Sequence, residues 1–164
     1  LDHLSGYYRK QYPAWNLVGL RYFNVYGPKE AHKRHMASMV YQLYLQMKAG
    51  KKPRIFKDGE QKRDFVYVKD VVEATLAASV ASVPGVYNVG SGSSSSFNDV
   101  ISRLNKALGL ALDPEYFENP YSFYQNVTQA DISKSREKLC YEPRFDLQHG
   151  IDDYVKWLLK SGES

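Results

Sequence analysis

This sequence predicts an α/β fold, and three observations carry that reading. Strand-like and helix-like segments alternate along the whole chain. The run "WNLVGLRYFNV" is mostly apolar and rich in β-branched and aromatic residues, the pattern of a parallel strand covered on both faces. Of the 164 residues, 43% are hydrophobic and 24% charged, which is enough for a core of its own and argues against disorder.

The elements follow in order. Residues 2 to about 11 read as the end of a helix, closed before Pro13, and the apolar strand comes next. Met36, Met39, Val40, Leu43 and Met47 then recur at helical spacing until Gly50 stops the helix. "PRIF" and "RDFVYV" read as strands on either side of "KDGEQK", where Asp58-Gly59 is a hairpin signal. A helix from Asp70 places Val71, Val72, Leu76 and Val80 on one side. "GVYNVG" is a further strand. In "SGSSSSFNDV", Ser96 and Asp99 have the spacing of a capping box. The helix they open carries Phe97, Val100, Ile101, Leu104 and Leu108 on one face. Two short helices, around 131–139 and 147–160, close the chain, with Tyr154, Val155 and Leu158 turned inward. A helix end feeding straight into a buried parallel strand leaves that strand short of neighbours, so we expect the chain to be the later part of a larger protein.

Composition narrows the function classes. No apolar run approaches the ~20 residues that span a bilayer, and no basic-then-apolar leader opens the chain, so no membrane partner is expected. The single cysteine, Cys140, cannot form an internal disulfide, and a reducing cytoplasm is the default location. A net charge of +4 fits an attraction for anions. The 14 tyrosines are scattered rather than gathered into a base-stacking motif, so nucleic acid is not expected as a partner.

Two constellations point to chemistry. Asn24 ends the apolar strand, and ligands of open α/β sheets bind outside the carboxyl ends of strands. Its amide suits sugar hydroxyls, and equally suits capping the strand end. Beyond Gly27-Pro28 stand Lys29, His32, Lys33, Arg34 and His35, just before the expected helix start near Met36, where free N–H groups add partial positive charge. A second cationic group, Lys57, Lys62 and Arg63, flanks the hairpin turn. Two such loops can grip a diphosphate, with Arg63 able to bind it bidentately. "VGSGSS" lacks the spacing of a phosphate loop and reads as a strand-to-helix turn. Tyr44 and Lys48 form a Tyr-x-x-x-Lys pair, but on an amphipathic helix beside a Leu/Met stripe, where chance explains it better than catalysis. The four histidines show no metal-ligand spacing.

"LRYFNVYGPKE", "KRDFVYVKDV" and "YNVGSG", in that order, resemble the carboxy-terminal half of extended short-chain dehydrogenase/reductases that act on nucleotide sugars. Within them, "RYFNVYGPKEAHKRHMAS", "IFKDGEQKRDFVYVKDV" and "YQNVTQADISKSR" are similar to the ADP-glyceromanno-heptose 6-epimerases. The resemblance covers essentially the whole chain and implies the following. Residues 1–27 end a Rossmann-type, doubly wound, dinucleotide-binding domain. Residues 28–164 form mainly a small mixed α/β nucleotide-sugar-binding subdomain, with the strand near 65–68 or 86–89 returning to the Rossmann sheet. The glycine-rich motif and catalytic Tyr-x-x-x-Lys of such enzymes would precede Leu1, so this portion alone is expected to be inactive.

The resemblance also assigns roles. Asn24 would contact the sugar or diphosphate, and Val25 would neighbour the nicotinamide of a tightly bound NADP. Lys33 would be the second acid/base group and touch the cofactor as well. His35 stands where serine is common, and Gln42 where relatives use a histidine contact. Phe56, Lys57, Asp58 and Gly59 would surround the adenosine. Arg63 would grip the diphosphate, and Tyr124 would reach it from the far side. The implied reaction inverts C6 of ADP-glyceromanno-heptose through a transient 6-keto sugar, a step in making the heptose of the lipopolysaccharide core, in a homo-oligomeric enzyme. A related nucleotide-sugar 4-epimerase or dehydratase, or a non-catalytic nucleotide-sugar-binding module, are the alternatives.

Overall fold

The computed structural model describes residues 2–56, 58–118 and 124–162. Helix α1 (Asp2–Gln11) leads into β1 (Val18–Tyr22) and, after a break at Phe23, β2 (Asn24–Tyr26). The break marks a change of partner. β1 pairs in parallel with β6 (Gly85–Val89), and β2 pairs in parallel with β5 (Phe65–Tyr67). Phe23 N–H still donates to Val89, whereas Asn24 N–H donates to Asp64. The α/β class and the parallel strands are as expected. Coverage of β1 on both faces is not: Tyr22 is 48% exposed, with its hydroxyl against the Thr75 hydroxyl.

β5 shows why these runs are so apolar. Phe65 and Tyr67 enter one cluster with Tyr26, Leu43, Phe97, Leu104 and Tyr154, drawn from α2 (Met39–Lys48), α4 (Phe97–Leu108) and α6 (Leu147–Ser161). Val66, pointing the other way, joins Val71, Ala74, Tyr87, Val89 and Leu139 from α3 (Val68–Val80), β6 and α5 (Ser133–Leu139). The expected capping box is present: the Ser96 side chain accepts from Asp99 N–H, and the Asp99 carboxylate accepts from Ser96. Tyr67 Oη and Lys69 Nζ both donate to Asp153, tying α6 to the strand end. The bond from Lys69, then that from Tyr67, holds the Asp153 carboxyl below the usual carboxylate range.

Three local expectations are corrected. "PRIF" and "RDFVYV" do not form a hairpin. β3 (Arg54–Phe56) pairs in parallel with β8 (Glu115–Phe117), and β4 (Lys62–Arg63) pairs antiparallel with β7 (Ser95–Ser96). The Asp58-Gly59 turn exists, with Gly59 at φ 74°, but β5 is apolar on both faces and gains more by entering the sheet beside β2 than by folding back on β3. Secondly, α3 buries Asp70, Val71, Ala74 and Ala78, leaving Val72, Leu76 and Val80 exposed. Small alanines permit close helix–sheet approach, so they and not the larger residues face the core. Thirdly, His32, Lys33, Arg34 and His35 occupy a 3-10 helix (Ala31–Met36), with Lys29 in the turn before it, and α2 starts only at Met39, after the Ser38 N-cap.

Gly150 sets how closely α6 approaches β2. A Cβ there would fall 2.0 Å from Tyr26 Oη and 3.0 Å from its Cζ, and Tyr26 is fully buried. Alanine in a helix normally gains up to ~1 kcal/mol over glycine. Here the clash should win, and Gly150→Ala should destabilise by about 1–3 kcal/mol in urea unfolding. A raised midpoint would show that α6 and Tyr26 separate freely.

Candidate functional site

The start of β2, just past the carboxyl end of β1, the 3-10 helix, the start of α2, β4 and the segment at Tyr124 converge on one hollow of about 230 Å³. Asn24, Val25, Lys33, Arg63 and Tyr124 line it, together with Met36, Ser38, Met39, Phe65 and Phe97. The two cationic segments therefore share a cavity, although β4 and the 3-10 helix lie some thirty residues apart in sequence. Among the described residues each contributes a single cation. Lys29, His32, Arg34, His35 and Lys62 are exposed and do not line the hollow, because the 3-10 helix turns only Lys33 and Met36 toward it.

A second hollow of about 190 Å³ adjoins the first, sharing Met39, Phe97 and Tyr124. Gln42, Gln46, Arg54, Ile55, Phe56, Gln61 and Phe117 complete it. Phe56 meets Tyr124 and Phe117 edge-to-face, at centroid distances of 4.7 and 5.8 Å. Aromatic edges and faces beside three amides make a slot of the kind that takes a planar heterocycle, and the cationic hollow next to it suits an anion.

The individual side chains are anchored in different ways. Asn24 Nδ2 donates to the Asp64 carbonyl at 3.1 Å, so the amide serves the strand end in this structure. Arg63 lies over the Tyr124 ring at 4.7 Å, and its Nη1 donates to the Lys62 carbonyl at 2.7 Å. Gln42 Nε2 donates to the carbonyls of Ala37 and His35, which closes the segment before α2. Asp58 and Gly59 do not line either hollow. Asp58 accepts from Glu60 N–H and Asn98 Nδ2, and Gly59 packs where a Cβ would strike Asn98 and Ile55. His35 also lies outside both hollows, and Lys57 lies outside the described residues. Tyr44 is fully buried with no hydrogen-bond partner for its hydroxyl among the described residues, so its pair with Lys48 faces no ligand.

Two buried carboxylates escaped the sequence reading. Asp64, fully buried next to Arg63, accepts from the N–H groups of Ser91, Gly92 and Ala130 and from Ser91 Oγ. It thereby makes the "VGSGSS" turn a structural cage behind the site. Glu30, also buried, accepts from Gly27, Ser38 and Tyr154. A signal existed for both, since an acid abutting a buried strand or a buried loop must find donors. A larger, open depression of about 670 Å³ lies over the Asp64 cage, lined by Ser91, Gly92, Gln129, Asp131 and neighbours, and carries none of the expected site residues.

Comparison with solved structures finds this chain similar to nucleotide-sugar enzymes. The chain is 44% identical to the ADP-L-glycero-D-manno-heptose-6-epimerase of Helicobacter pylori, over 87% of this chain and 44% of that one, with a TM-score of 0.81. It is 34% identical to the UDP-glucuronic acid 4-epimerase of Bacillus cereus, solved with a fluorinated UDP-sugar and NAD, over 96% of this chain and 50% of that one (TM-score 0.82). It is 31% identical to the UDP-glucose 4-epimerase of Thermotoga maritima, solved with UDP-glucose, over 98% of this chain and 51% of that one (TM-score 0.88). The chain thus spans about half the length of these relatives. Residues 1–90, more than half of the sequence, match the model of the NAD dependent epimerase/dehydratase family, and with the identities above this establishes that the chain belongs to that family.

Proposed function

We propose that this chain forms the substrate-binding part of an NADP-dependent epimerase that inverts C6 of ADP-glyceromanno-heptose. The observation that carries the reading is the joining of Lys33, Arg63, Asn24 and Tyr124 in one hollow, beside an aromatic slot. The E-x-H-K-x-x-M-A-S and T-Q-A-D segments support the heptose substrate, as does an identity of 44% to the heptose enzyme against 34% and 31% to the UDP-sugar enzymes.

In this reading the slot of Phe56, Gln42 and Tyr124 takes the adenosine, and Arg63 binds the diphosphate through its planar fork. The sugar then reaches toward Asn24 and Lys33. Val25, partly buried in the wall beside Lys33, offers an apolar edge to a nicotinamide ring, so the residues present fit the cofactor's reactive end. A nicotinamide cofactor supplies hydride removal and return at a carbinol carbon. The chain's own part is to bind, orient and move protons. Inversion requires the sugar end to present two faces in turn, and Lys33 would give or take the hydroxyl proton in one of the two orientations.

The test uses full-length protein. Denaturation should release NADP rather than NAD, calorimetry should show ADP-sugar binding more tightly than UDP-sugar, and proton NMR should show inversion at C6 of the heptose. Release of NAD with preferential UDP-sugar binding would favour a 4-epimerase or dehydratase. ADP-sugar binding with no nicotinamide nucleotide would leave a binding module.

A further inference from the structure

Glu30 is the one charge of its segment that the fold buries, at 2% exposure, among exposed Lys29, His32, Lys33, Arg34 and His35. It forms no ion pair among the described residues. Its charge is instead met by donors. Oε1 accepts from Gly27 N–H at 3.3 Å, Ser38 Oγ at 2.8 Å and Tyr154 Oη at 3.0 Å, and Oε2 accepts from Ser38 N–H at 2.7 Å. Hydrogen bonds to an ionised acceptor are the strong kind, and two of these come from backbone at the start of α2 and at the end of β2.

Those two donors are the feet of one loop. Gly27 begins the turn after β2 and Ser38 caps α2; between them stand Lys33 and Met36, which line the cationic hollow. The loop is strained. Lys29 (φ 68°) and Arg34 (φ 51°, ψ −124°) hold left-handed backbone that side chains disfavour, one on each side of Lys33. Such conformations are costly and persist only where the surroundings over-determine them. The Glu30 carboxylate supplies that constraint by gripping both feet, while its carbonyl accepts from Lys33 N–H at 2.9 Å. Tyr154, on α6, holds the carboxylate from behind.

We infer that Glu30 is a positioning residue: by bridging Gly27, Ser38 and Tyr154 it fixes the strained loop that presents Lys33 to the hollow. The inference rests on the proposed role of Lys33. A carboxylate that merely stabilised the fold would lower stability without acting through Lys33, and a double-mutant cycle separates the two.

In full-length protein assayed with ADP-heptose, Glu30→Gln should lower kcat by about 10-fold or more and leave KM within about threefold, because the amide keeps the shape but replaces one acceptor by a donor. Placed on Lys33→Ala, the same substitution should change kcat less than about twofold. Tyr154→Phe, which removes one of the four bonds, should give a smaller loss that also vanishes on Lys33→Ala, and it reads the same coupling if Glu30→Gln fails to fold. Independent, multiplicative losses in an enzyme impaired by Lys33→Ala would overturn the positioning role and leave the proposed function intact. If Lys33→Ala itself keeps full turnover, the catalytic reading of Lys33 falls and the positioning role falls with it.

Discussion

Lys33→Ala in the full-length protein should lower turnover by about 10²–10⁴-fold, the usual contribution of a positioned acid or base. Nucleotide-sugar affinity should stay within about threefold. Lys33 is the only residue of its cation cluster that lines the hollow, and among the described residues it has no ion-pair partner. Lys33 is exposed, so a bound sugar would both desolvate its amine and receive its proton. The split between kcat and affinity follows from the division of labour in the hollow. Arg63, not Lys33, stacks on Tyr124 at the edge shared with the aromatic slot, and most binding energy should reside there. Lys33→Arg sharpens the test, because a guanidinium keeps the charge but does not release a proton near neutral pH. Turnover should fall almost as far as in Lys33→Ala, with affinity kept. Equal kcat and a raised KM in both variants would make Lys33 a binding residue instead.

Particular residues show how much of this was legible in the sequence. The apolar runs of β2 and β5 told their own burial, because a strand packed on both faces has no polar alternation to hide. The capping box at Ser96 was readable because both of its bonds are local. The hairpin failed for the opposite reason. Asp58-Gly59 specifies a turn, but which strand β5 then joins depends on Val25 and Tyr26, some forty residues earlier. The face of α3 was misassigned because Val72, Leu76 and Val80 keep the same helical period as Val71, Ala74 and Ala78, and size alone does not choose between two stripes. At the site, the meeting of Lys33 with Arg63 was foreseeable only as a pairing of cationic loops. Glu30 and Asp64, which hold those loops, were hidden among like-looking charges, since burial is a property of the assembled fold.

Arg63→Ala should weaken nucleotide-sugar binding by about 2–5 kcal/mol, the range for truncating one partner of a buried charge pair. The lower end is the better expectation here, roughly 30- to 150-fold in Kd at 2–3 kcal/mol, because Arg63 is only partly buried. Its protein contacts run through Nη1, to the carbonyls of Lys62 and, at 3.5 Å, Asn126. Nε and Nη2 have no protein partner among the described residues, which leaves one edge of the fork for two phosphate oxygens. The Tyr124 ring fixes the plane of that fork at 4.7 Å, so less side-chain freedom is lost on binding. Arg63→Lys keeps the charge but not the fork or its planar stacking, and should recover less than half of the lost free energy. Calorimetry with ADP, ADP-sugar and AMP tests where the guanidinium acts. A grip on the diphosphate predicts the same loss for ADP and ADP-sugar and a clearly smaller one for AMP, which lacks the second phosphate. An equal loss for all three would move Arg63 from the diphosphate to the nucleoside, beside Phe56 and Tyr124. No loss for any of them would remove it from the site, since no other basic residue from the second cationic segment lines the hollow among the described residues.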